Sequence, residues 1–290
     1  MDLHRIMAEP QGGFGEIYVI AEGGINHNGD LDIAKQMIKQ AAAAGVDAIK
    51  FQKREISLVY TEKFLSEPRE SKWGNTQRDQ KNGLEFNFLQ YQDLYSFSKN
   101  LGLDFSASAW DLVSLEFVES LNPKFHKVAS AFITNREFLK VVASYKRPTF
   151  ISTGMSNYED IDAAVQIFES ASCPFMIMHS VSVYPAELGS LNLSMIKTLA
   201  SRYSRVVGYS GHEASVSPSL TAAAFGARAI ERHFTLDRSM YGSDQSASLE
   251  PDGLRRLVAG IRKIPLIVGD GVKRYEKGEV EVAKKLRYWQ

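Results

Sequence analysis

Short apolar segments that predict β-strands alternate with amphipathic segments that predict α-helices along almost the whole chain. Eight segments have the length and apolar content of strands: Ile17–Glu22, Ala48–Gln52, Asp104–Ala109, Phe125–Ala129, Thr149–Ser152, Phe175–His179, Arg205–Tyr209 and Ala229–Thr235. The helices predicted to follow them are Leu31–Gly45, Phe86–Lys99, Leu112–Leu121, Asn135–Tyr145, Tyr158–Ser170, Leu193–Arg202, Ser217–Gly226 and Asp252–Val268. Strands that alternate with helices in this way predict a sheet of parallel strands.

Eight strand–helix units in 290 residues predict a (β/α)8 TIM barrel, an α/β fold that typically takes about 250 residues. A doubly wound open sheet is the alternative, but it commonly has fewer strands. No linker or low-complexity tract divides the chain, so we expect a single domain over residues 1–290. Within it we expect the barrel proper at 17–269, an N-terminal extension at 1–16 and a C-terminal tail or helix at 270–290.

The connections between these units carry few signals for nucleotide binding. No GxGxxG or GxxxxGK[ST] sequence follows a predicted strand, and Gly12-Gly13-Phe14-Gly15 precedes the first one, which favours a turn over a phosphate-binding loop. The longest segment without a periodic pattern is Lys53–Glu85, a length at which loops are commonly functional. Capping boxes at Thr134…Glu137 and Ser156…Glu159 predict where two helices begin.

Composition excludes several classes of function. The 34 Lys and Arg residues balance 34 Asp and Glu residues, so the chain has no excess of cations for binding nucleic acid. No run of about 18 apolar residues predicts a membrane-spanning helix, and the first residues lack the apolar stretch of a secretory signal. A single cysteine, Cys173, excludes an intrachain disulfide and a thiolate metal cluster. We therefore expect a cytoplasmic protein with no nucleic-acid or membrane partner.

In a TIM barrel the active site lies at the carboxyl ends of the strands, and every predicted strand here ends in polar residues. His212 and His233 lie at the ends of the last two strands, and neighbouring strands are about 4.8 Å apart. Ile230 and Phe234 lie on one face of the last strand, and as apolar residues they are expected to face the helices. Glu231 and His233, on the opposite face, are therefore expected to face the barrel interior. Two imidazoles there would be able to share one metal ion and leave coordination positions open. Hydrogen-bonded structural histidines are the alternative.

Two lysines at strand ends, Lys50 and Lys127, are candidates for anion binding. A buried lysine needs a negatively charged partner, because an unpaired buried charge is very costly. That partner is either a substrate phosphate or the carboxylate of Glu22 or Glu231, and the sequence favours neither. Hydroxyls at matching positions favour an anion weakly; they belong to Ser108, Ser130, Ser152, Ser182 and Ser210. A lysine here is also the nucleophile that a Schiff-base aldolase needs.

At these residues the sequence resembles the N-acetylneuraminate (sialic acid) synthase family, over nearly all of the chain from Ile17 to about Arg287. The motifs that carry the resemblance are Ile20-Ala21-Glu22-Gly23-Gly24-Ile25-Asn26-His27-Asn28-Gly29, Ile49-Lys50-Phe51-Gln52, Ile151-Ser152-Thr153-Gly154-Met155, Gly208-Tyr209-Ser210-Gly211-His212 and Ile230-Glu231-Arg232-His233-Phe234-Thr235-Leu236-Asp237-Arg238. Together these motifs are specific for the family, although no single motif would be. The resemblance implies a (β/α)8 barrel and an enzyme that condenses phosphoenolpyruvate with an amino-sugar aldehyde.

The resemblance also implies roles for residues at matching positions. His212 and His233 correspond to the two protein ligands of a divalent metal ion, Mn2+ in the first place, with Mg2+ or Co2+ as alternatives. Glu22 is expected beside the metal, as a carboxylate that orients groups or transfers a proton. The phosphoenolpyruvate site is expected at Lys50, Ser108, Lys127, Ser130, Ser152, Ser182 and Ser210. The acceptor sugar is expected to contact Gln52, Tyr184 and Asp244.

Three departures from the family pattern bear on the site. Phe132 stands where many members have an acidic residue that meets the acceptor, and Gly211 stands where an aspartate usually precedes the metal histidine. The sequence ends just after the barrel, so we expect the family's antifreeze-like C-terminal domain, which reaches a partner's site with an arginine, to be absent. We therefore predict that Arg78, in the long segment after the second strand, contacts the acceptor instead.

The leading hypothesis is a metal-dependent synthase that makes a nonulosonic (sialic-type) acid and phosphate from phosphoenolpyruvate and N-acetylmannosamine or a related aldose. The same chemistry on an unacetylated hexose, a diacetamido sugar or a sugar phosphate stays open, and for the last the sequence shows no clear second basic cluster. A Schiff-base aldolase and a non-catalytic sugar- or phosphate-binding barrel are the alternatives from other classes. The resemblance also implies that barrels pair, so we expect a homodimer or higher homo-oligomer.

Overall fold

The computed structural model describes residues 1–9 and 15–289. Ten strands lie in this part of the chain: β1 (Tyr18–Gly24), β2 (Ala48–Lys53), β3 (Pro68–Ser71), β4 (Gly74–Thr76), β5 (Asp104–Ala109), β6 (His126–Val128), β7 (Thr149–Ser152), β8 (Phe175–Ser180), β9 (Val207–Gly211) and β10 (Ala229–His233). β3 and β4 form an antiparallel hairpin, and the other eight are the parallel strands of one sheet.

The same residues form fourteen α-helices: α1 (Leu3–Ala8), α2 (Leu31–Ala44), α3 (Ile56–Val59), α4 (Glu62–Leu65), α5 (Gln77–Leu84), α6 (Phe88–Asn100), α7 (Leu112–Ser120), α8 (Arg136–Ser144), α9 (Tyr158–Ser170), α10 (Met195–Tyr203), α11 (Ser217–Ala224), α12 (Pro251–Ile261), α13 (Ile264–Val268) and α14 (Glu279–Leu286). The single helix predicted at 252–268 was wrong. Pro265 has no N–H to donate, and its ring clashes with the carbonyl four residues earlier, so α12 ends before it. None of the described helices is both long and apolar enough to cross a membrane.

The eight parallel strands form a barrel in the spatial order β5-β2-β1-β10-β9-β8-β7-β6. Main-chain ladders join each neighbouring pair in that order. Between β5 and β6, the two end strands, no ladder is formed by the described residues. There the hydroxyl of Ser106 donates to the carbonyl oxygen of Phe125 at 2.6 Å. The (β/α)8 barrel predicted from the sequence is confirmed.

The long segment after β2, predicted as irregular, contains α3, α4, the β3–β4 hairpin and α5. Most of these elements have three or four residues, too few to show a helical or strand period in the sequence. Two glycines hold the segment against the loop that follows β1. A Cβ on Gly29, whose φ is +67°, would lie 1.8 Å from the carbonyl oxygen of Gly83, so only glycine fits there.

Two helices begin one residue later than the predicted capping boxes. At α8 the side chain of Asn135, not Thr134, accepts the amide of Phe138 at 3.1 Å. At α9, Asn157 accepts the amide of Asp160 at 3.0 Å, and the Asp160 carboxylate accepts the amide of Asn157. Asparagine caps a helix as well as serine or threonine does, and at α9 Asp160 completes a capping box with Asn157. The turn predicted at Gly12-Gly13-Phe14-Gly15 lies, apart from Gly15, outside the described residues.

The barrel interior is apolar at its amino-terminal end. The ring of Tyr18 stacks on Phe150 with 6.0 Å between centroids, and Phe125 meets Phe150 edge to face at 5.2 Å. Helix α1 covers this end with three fully or nearly fully buried side chains, Leu3, Ile6 and Met7. The polar interior groups of the barrel therefore lie toward its carboxyl-terminal end.

Candidate active site

A cavity of about 210 Å3 opens at the carboxyl-terminal end of the barrel. Its wall contains every predicted site residue except Arg78 and Asp244: Glu22, Lys50, Gln52, Ser108, Lys127, Ser130, Ser152, Ser182, Tyr184, Ser210, His212 and His233. Five further residues of the wall were not predicted as site residues: Trp110, Ala129, Ala131, Met155 and Glu231. The wall therefore gathers residues from the ends of all eight barrel strands.

The alternation of side chains along each strand places the polar groups in this cavity. Ile49 on β2 and Ile230 on β10 pack in the core between strands and helices. Their neighbours Lys50, Glu231 and His233 point the other way and line the cavity. The inward orientation predicted for Glu231 and His233 from strand parity is confirmed.

The two buried lysines are both paired with carboxylates. Lys50 forms an ion pair with Glu22, donates to Ser108 Oγ at 2.8 Å, and has its Nζ 3.8 Å from Glu231 Oε2. Lys127 Nζ lies 3.0 Å from Glu231 Oε1. The carboxylates that the sequence left as one alternative therefore neutralise these charges. Two cations and two anions lie at the floor of a cavity into which an anionic ligand would bring further negative charge.

The two glutamates of this cluster have opposite pKa shifts. Burial raises the pKa of Glu22, and the nearby Lys50 offsets only part of that shift. Burial alone would raise the pKa of Glu231 too, but Lys127 and Lys50 together lower it to about 2. Glu22 is consequently the carboxyl group of this pair that is better suited to take up and release a proton. Its Oε1 accepts a hydrogen bond of 2.8 Å from Gln52 Nε2, which fixes its orientation.

Hydroxyl groups form a polar wall beside the end of β7. The amide of Gly154 donates to Ser130 Oγ at 3.1 Å and to Ser180 Oγ at 2.9 Å. The hydroxyl of Ser152 is buried and has no hydrogen-bond partner among the described residues. A buried hydroxyl without a partner, beside a cavity with two lysines, is available to a bound anion.

Ser180 is a polar group near the cavity that sequence reasoning missed. The predicted strand stopped at His179, whereas β8 continues to Ser180. Met176 and Met178 belong to the interior cluster at the amino end, and Ser180 follows them with the same parity. That parity was the signal that could have found it. Met155, which is 70% exposed at the cavity's edge with a φ of +59°, had no such signal.

The two histidines lie side by side, with 5.5 Å between their ring centroids. His212 Nδ1 is 2.6 Å from the carbonyl oxygen of Val181, and because a carbonyl only accepts, this nitrogen carries the proton. The lone pair of His212 is therefore on Nε2, where it accepts the hydroxyl of Tyr184 at 3.0 Å. His233 Nδ1 is buried without a hydrogen-bond partner in the described part of the chain, 3.9 Å from Asp244 Oδ2.

The chemistry of these donors fits a divalent metal ion. Burial, followed by the neighbouring His233, lowers the pKa of His212 to about 4, and burial also lowers the pKa of His233. Both rings are thus neutral near pH 7, the form that binds metals. A carbonyl that holds one ring nitrogen and frees the other is the usual arrangement behind a metal-binding histidine. No group of three or more His, Cys, Asp or Glu side chains in residues 1–9 and 15–289 is placed to hold a metal. His212 and His233 are therefore considered as a pair of candidate ligands.

Asp244 lies in a second cavity of about 260 Å3, which shares Gln52, Trp110, Tyr184 and His233 with the first. Its further lining residues include two cations, Arg54 and Lys81. The two cavities are therefore adjoining compartments of one site. A ligand that reaches from the histidines past Gln52 enters the second compartment.

Arg54 and Lys81 both face aromatic rings in this second compartment. The guanidinium carbon of Arg54 lies 4.1 Å from the ring centroid of Trp110, and Lys81 Nζ lies 5.3 Å from that of Tyr60. Arg54 is only 8% exposed, donates to Gln52, and has an Nε without a hydrogen-bond partner in the described chain. Neither cation forms an ion pair with a carboxylate of the described residues. Sequence reasoning did not bring Lys81 together with Arg54, because the two residues belong to different parts of the long segment after β2.

Two residues considered for the acceptor end of the site lie away from both compartments. Arg78 lies on α5, where it forms an ion pair with Glu62 of α4 and lines neither compartment. It was chosen as a nearby arginine, but α5 turns its side chain toward α4. Phe132 also points away from the cavity: its ring packs on Phe138 at 4.8 Å and meets Trp110 edge to face at 5.7 Å.

Comparisons with known proteins identify what the chain is similar to. A model of the NeuB family matches residues 37–273. The N-acetylneuraminate-9-phosphate synthase of Mus musculus is 38% identical over 278 residues, which are 95% of this chain and 77% of that protein. The N,N'-diacetyllegionaminic acid synthase of Campylobacter jejuni is 35% identical over 267 residues, 90% of this chain and 80% of that protein.

The same resemblance is found among solved structures. The N-acetylneuraminic acid (sialic acid) synthetase from Leptospira borgpetersenii serovar Hardjo-bovis, solved in complex with citrate, matches with a TM-score of 0.84 at 32% identity. The match covers 95% of this chain and 94% of that one. The likeness therefore extends over nearly the whole fold of this chain.

Proposed function

This chain belongs to the NeuB family of phosphoenolpyruvate-dependent synthases, which form a carbon–carbon bond, and from that membership we propose that its acceptor is N-acetylmannosamine or a related aldose. The products would be a nonulosonic acid and phosphate. One observation carries the proposal: a single cavity combines two lysines, two neutral histidines and a carboxyl group whose pKa burial raises. These are the groups that an anionic donor and an aldehyde acceptor require together.

The lysines and hydroxyls are proposed to bind phosphoenolpyruvate. Its phosphate and carboxylate are anions, and Lys50 and Lys127 are the cations at the cavity floor. Ser152 Oγ has no hydrogen-bond partner among the described residues, and it would donate to one of the substrate's oxygens. Hydrogen bonds to charged groups are stronger than those between neutral groups, so this wall would hold the donor in a fixed orientation.

His212 and His233 are proposed to hold one divalent ion, Mn2+ in the first place, which when bound would polarise the acceptor's aldehyde oxygen. The protein would orient the two histidine rings. Val181 fixes the tautomer of His212, and Tyr184 lies against both rings, with centroid distances of 4.1 and 5.6 Å. Tyr184 and Gln52 line both compartments, which suits residues that contact the acceptor.

In the proposed reaction C3 of phosphoenolpyruvate forms a bond to the aldehyde carbon, and a water oxygen adds to C2. The bond between C2 and the phosphate oxygen then breaks, and phosphate leaves with that electron pair. The water loses both of its protons as C2 becomes a carbonyl carbon: one is gained by the aldehyde oxygen, and the other leaves with the phosphate. Glu22 is the proposed carrier of these protons, because burial raises its pKa and Gln52 holds its orientation.

The first experiment measures phosphate release from phosphoenolpyruvate by metal-stripped protein, with and without Mn2+, across a panel of aldoses. The proposal predicts release that needs both the metal and an N-acetylmannosamine-type aldose. Tight binding of phosphoenolpyruvate without release for any aldose would support a non-catalytic binding barrel. Trapping of pyruvate on the protein by borohydride would support a Schiff-base aldolase instead.

A second candidate is the same condensation on a phosphorylated aldose, which the two cations of the adjoining compartment favour. The compartment also contains Glu85 and Asp244, but Glu85 pairs with Lys53. Neither Arg54 nor Lys81 forms an ion pair with a carboxylate of the described residues, so a sugar phosphate would supply them with an anionic partner. Phosphoenolpyruvate adds three carbons, so carbon 6 of a hexosamine becomes carbon 9 of the product. The relative from Mus musculus is named for a product with its phosphate at that carbon.

The two candidates differ in one measurable ratio, the kcat/KM for N-acetylmannosamine 6-phosphate against that for N-acetylmannosamine. If the second candidate is right, Arg54→Ala raises the KM for the phosphorylated aldose about tenfold or more and leaves binding of phosphoenolpyruvate unchanged. Arg78→Ala is the matched control, because Arg78 lies on the same segment but lines neither compartment. Equal kcat/KM values for the two aldoses would exclude the second candidate. A changed KM in Arg78→Ala would restore Arg78 as an acceptor contact.

A further inference from the structure

A fully buried ion pair lies on the helix side of the barrel wall, directly behind the two histidines. Arg232 precedes His233 on β10, and Glu213 follows His212 at the end of β9. Arg232 Nη1 and Glu213 Oε1 are 2.9 Å apart, and the two side chains are 0% and 1% exposed. Each member of the pair is thus a chain neighbour of one histidine.

The ion pair belongs to a hydrogen-bond network that fastens the turn after β9 to β10. Arg232 donates to the carbonyl oxygens of Glu213 and Ser215, the second at 2.8 Å, and to Ser219 Oγ at 2.9 Å. The Glu213 carboxylate accepts from Tyr209 at 2.8 Å and from Ser219 at 3.0 Å. One guanidinium therefore holds both the side chain and the main chain of the turn that carries His212.

The space for the Glu213 carboxylate is created by Gly211. A Cβ on Gly211 would lie 2.5 Å from Glu213 Oε2 and 2.6 Å from the ring of Tyr209. Gly211 pairs with Arg232 in the ladder between β9 and β10, so the three residues meet at one point. The carboxylate that the family pattern places at position 211 is thus replaced here by one that reaches the same point from position 213.

Stability alone gives a weak reason for such a pair. Removing two charges from water is costly, and well-packed apolar residues in place of a buried ion pair are often neutral or stabilising. What a buried, hydrogen-bonded pair does supply is a fixed geometry. Here the geometry it fixes is the position of the His212 turn relative to the strand that carries His233.

We propose that Glu213, Arg232 and Gly211 form a positioning device that sets the separation of His212 and His233 for a shared divalent cation. The inference rests on the two-histidine metal site of the proposed function. Outer groups that orient metal ligands commonly contribute about 10–100-fold to metal affinity. None of the three residues lines the cavity, so none touches the substrates.

The test is a titration of the full chain, stripped of metal, with Mn2+ alone, in which the electron paramagnetic resonance signal of free Mn2+ gives the dissociation constant. Glu213→Gln keeps the shape of the side chain and removes its charge. We expect it to weaken Mn2+ binding about 10–100-fold, with the affinity for phosphoenolpyruvate in the absence of metal unchanged. Gly211→Ala changes no charge but forces the carboxylate away, and we expect its affinity to fall in the same direction.

Glu119→Gln is the matched control, because it breaks an ion pair with Arg147 at the opposite end of the barrel. It should lower the melting temperature and leave the Mn2+ affinity at the wild-type value. Wild-type Mn2+ affinity in both Glu213→Gln and Gly211→Ala would overturn the positioning role while leaving the metal site intact. A wild-type chain that binds no Mn2+ would overturn the metal site and this inference together.

Discussion

The two ends of the barrel interior have opposite chemistry although the same strands build both. At the amino-terminal end the interior side chains are aromatic and aliphatic, and α1 covers them. At the carboxyl-terminal end they include two lysines, two glutamates, two histidines and several serines. Along β1, for example, the inward-facing residues change from the apolar Tyr18 and Ile20 to the charged Glu22.

This difference indicates that the amino-terminal end stabilises the fold and that the carboxyl-terminal end contains the groups proposed for the reaction. Burial of apolar area at the amino end stabilises the folded state, by roughly 1.5–3 kcal/mol for each large side chain. Burial of four charges at the carboxyl end costs solvation energy that the ion pairs offset only in part. Variants should therefore separate into those that reduce activity and those that reduce stability, according to the end they alter.

The largest effect is expected at the carboxyl end, in Glu22→Gln. Glutamine retains the shape of the side chain but cannot carry a proton, so kcat should fall by about 100- to 10,000-fold. Phosphate release at saturating substrates and thermal unfolding of the same samples check it. Glu159→Gln, at an exposed position on α9, is the control. A kcat within twofold of wild type would show that Glu22 has no part in proton transfer.

The reverse pattern is expected at the amino end, in Phe150→Ala. This ring is fully buried between Tyr18 and Phe125, and its loss should lower the free energy of unfolding by about 3–5 kcal/mol. The kcat of the folded protein should not change. Urea unfolding and activity measurements check both, with Leu89→Ala, at a residue 73% exposed, as control. A large loss of kcat with little loss of stability would contradict the division between the two ends.

A smaller, pH-dependent effect is expected from Glu119, near the amino end. Burial would raise the pKa of Glu119, but His126 and Arg147 lower it to about 2, below its ordinary value of 4.5. Because the folded-state pKa is the lower one, the stabilisation is complete above pH 4.5 and is lost as the pH falls toward 2. Glu119→Gln should thus be about 1–2 kcal/mol less stable than wild type at pH 6 and equally stable near pH 2.

Urea unfolding of wild type and Glu119→Gln between pH 6 and pH 3 measures this difference. Glu116→Gln, at an exposed position on the same helix, should show no such convergence with wild type. A gap between wild type and Glu119→Gln that stays constant across this range would mean that the carboxylate does not titrate as proposed.

The smallest effect concerns the helix ends that surround the carboxyl end of the barrel. Asn157→Ala removes the cap of α9 and should cost about 1 kcal/mol in the free energy of unfolding. Ser156→Ala alters the residue that the sequence pattern suggested, and it should cost less than half as much. Denaturant midpoints of the two variants decide between them. A larger loss in Ser156→Ala would restore the original capping assignment.

The sequence predicted the barrel because its elements are long enough to show a period. Strands at Asp104–Ala109 and Thr149–Ser152 and the helix at Tyr158–Ser170 have the predicted bounds. Strand parity also placed Lys50 and His233 inside. These predictions depend only on local alternation, which a single sequence contains.

The acceptor end of the site could not be predicted in the same way. Arg54 and Lys81 meet only because α3, α4 and α5 fold back over the barrel, and those elements are too short to recognise. Arg78 was chosen for its position in the sequence, but the direction of a side chain on α5 depends on tertiary packing. The link between Gly211 and Glu213 likewise depends on a contact that no motif encodes.

The missing ladder between β5 and β6 has a mechanical consequence for the cavity. Ser108 and Trp110 lie on one side of that junction, and Lys127 and Ser130 lie on the other, so the cavity spans it. At the other junctions a wider barrel would require several main-chain hydrogen bonds to break together. At this junction, the hydrogen bond from the Ser106 hydroxyl to the Phe125 carbonyl oxygen links the two strand edges. We therefore expect the circumference of the barrel to be most compliant at this junction, between the strand that carries Ser108 and the strand that carries Lys127.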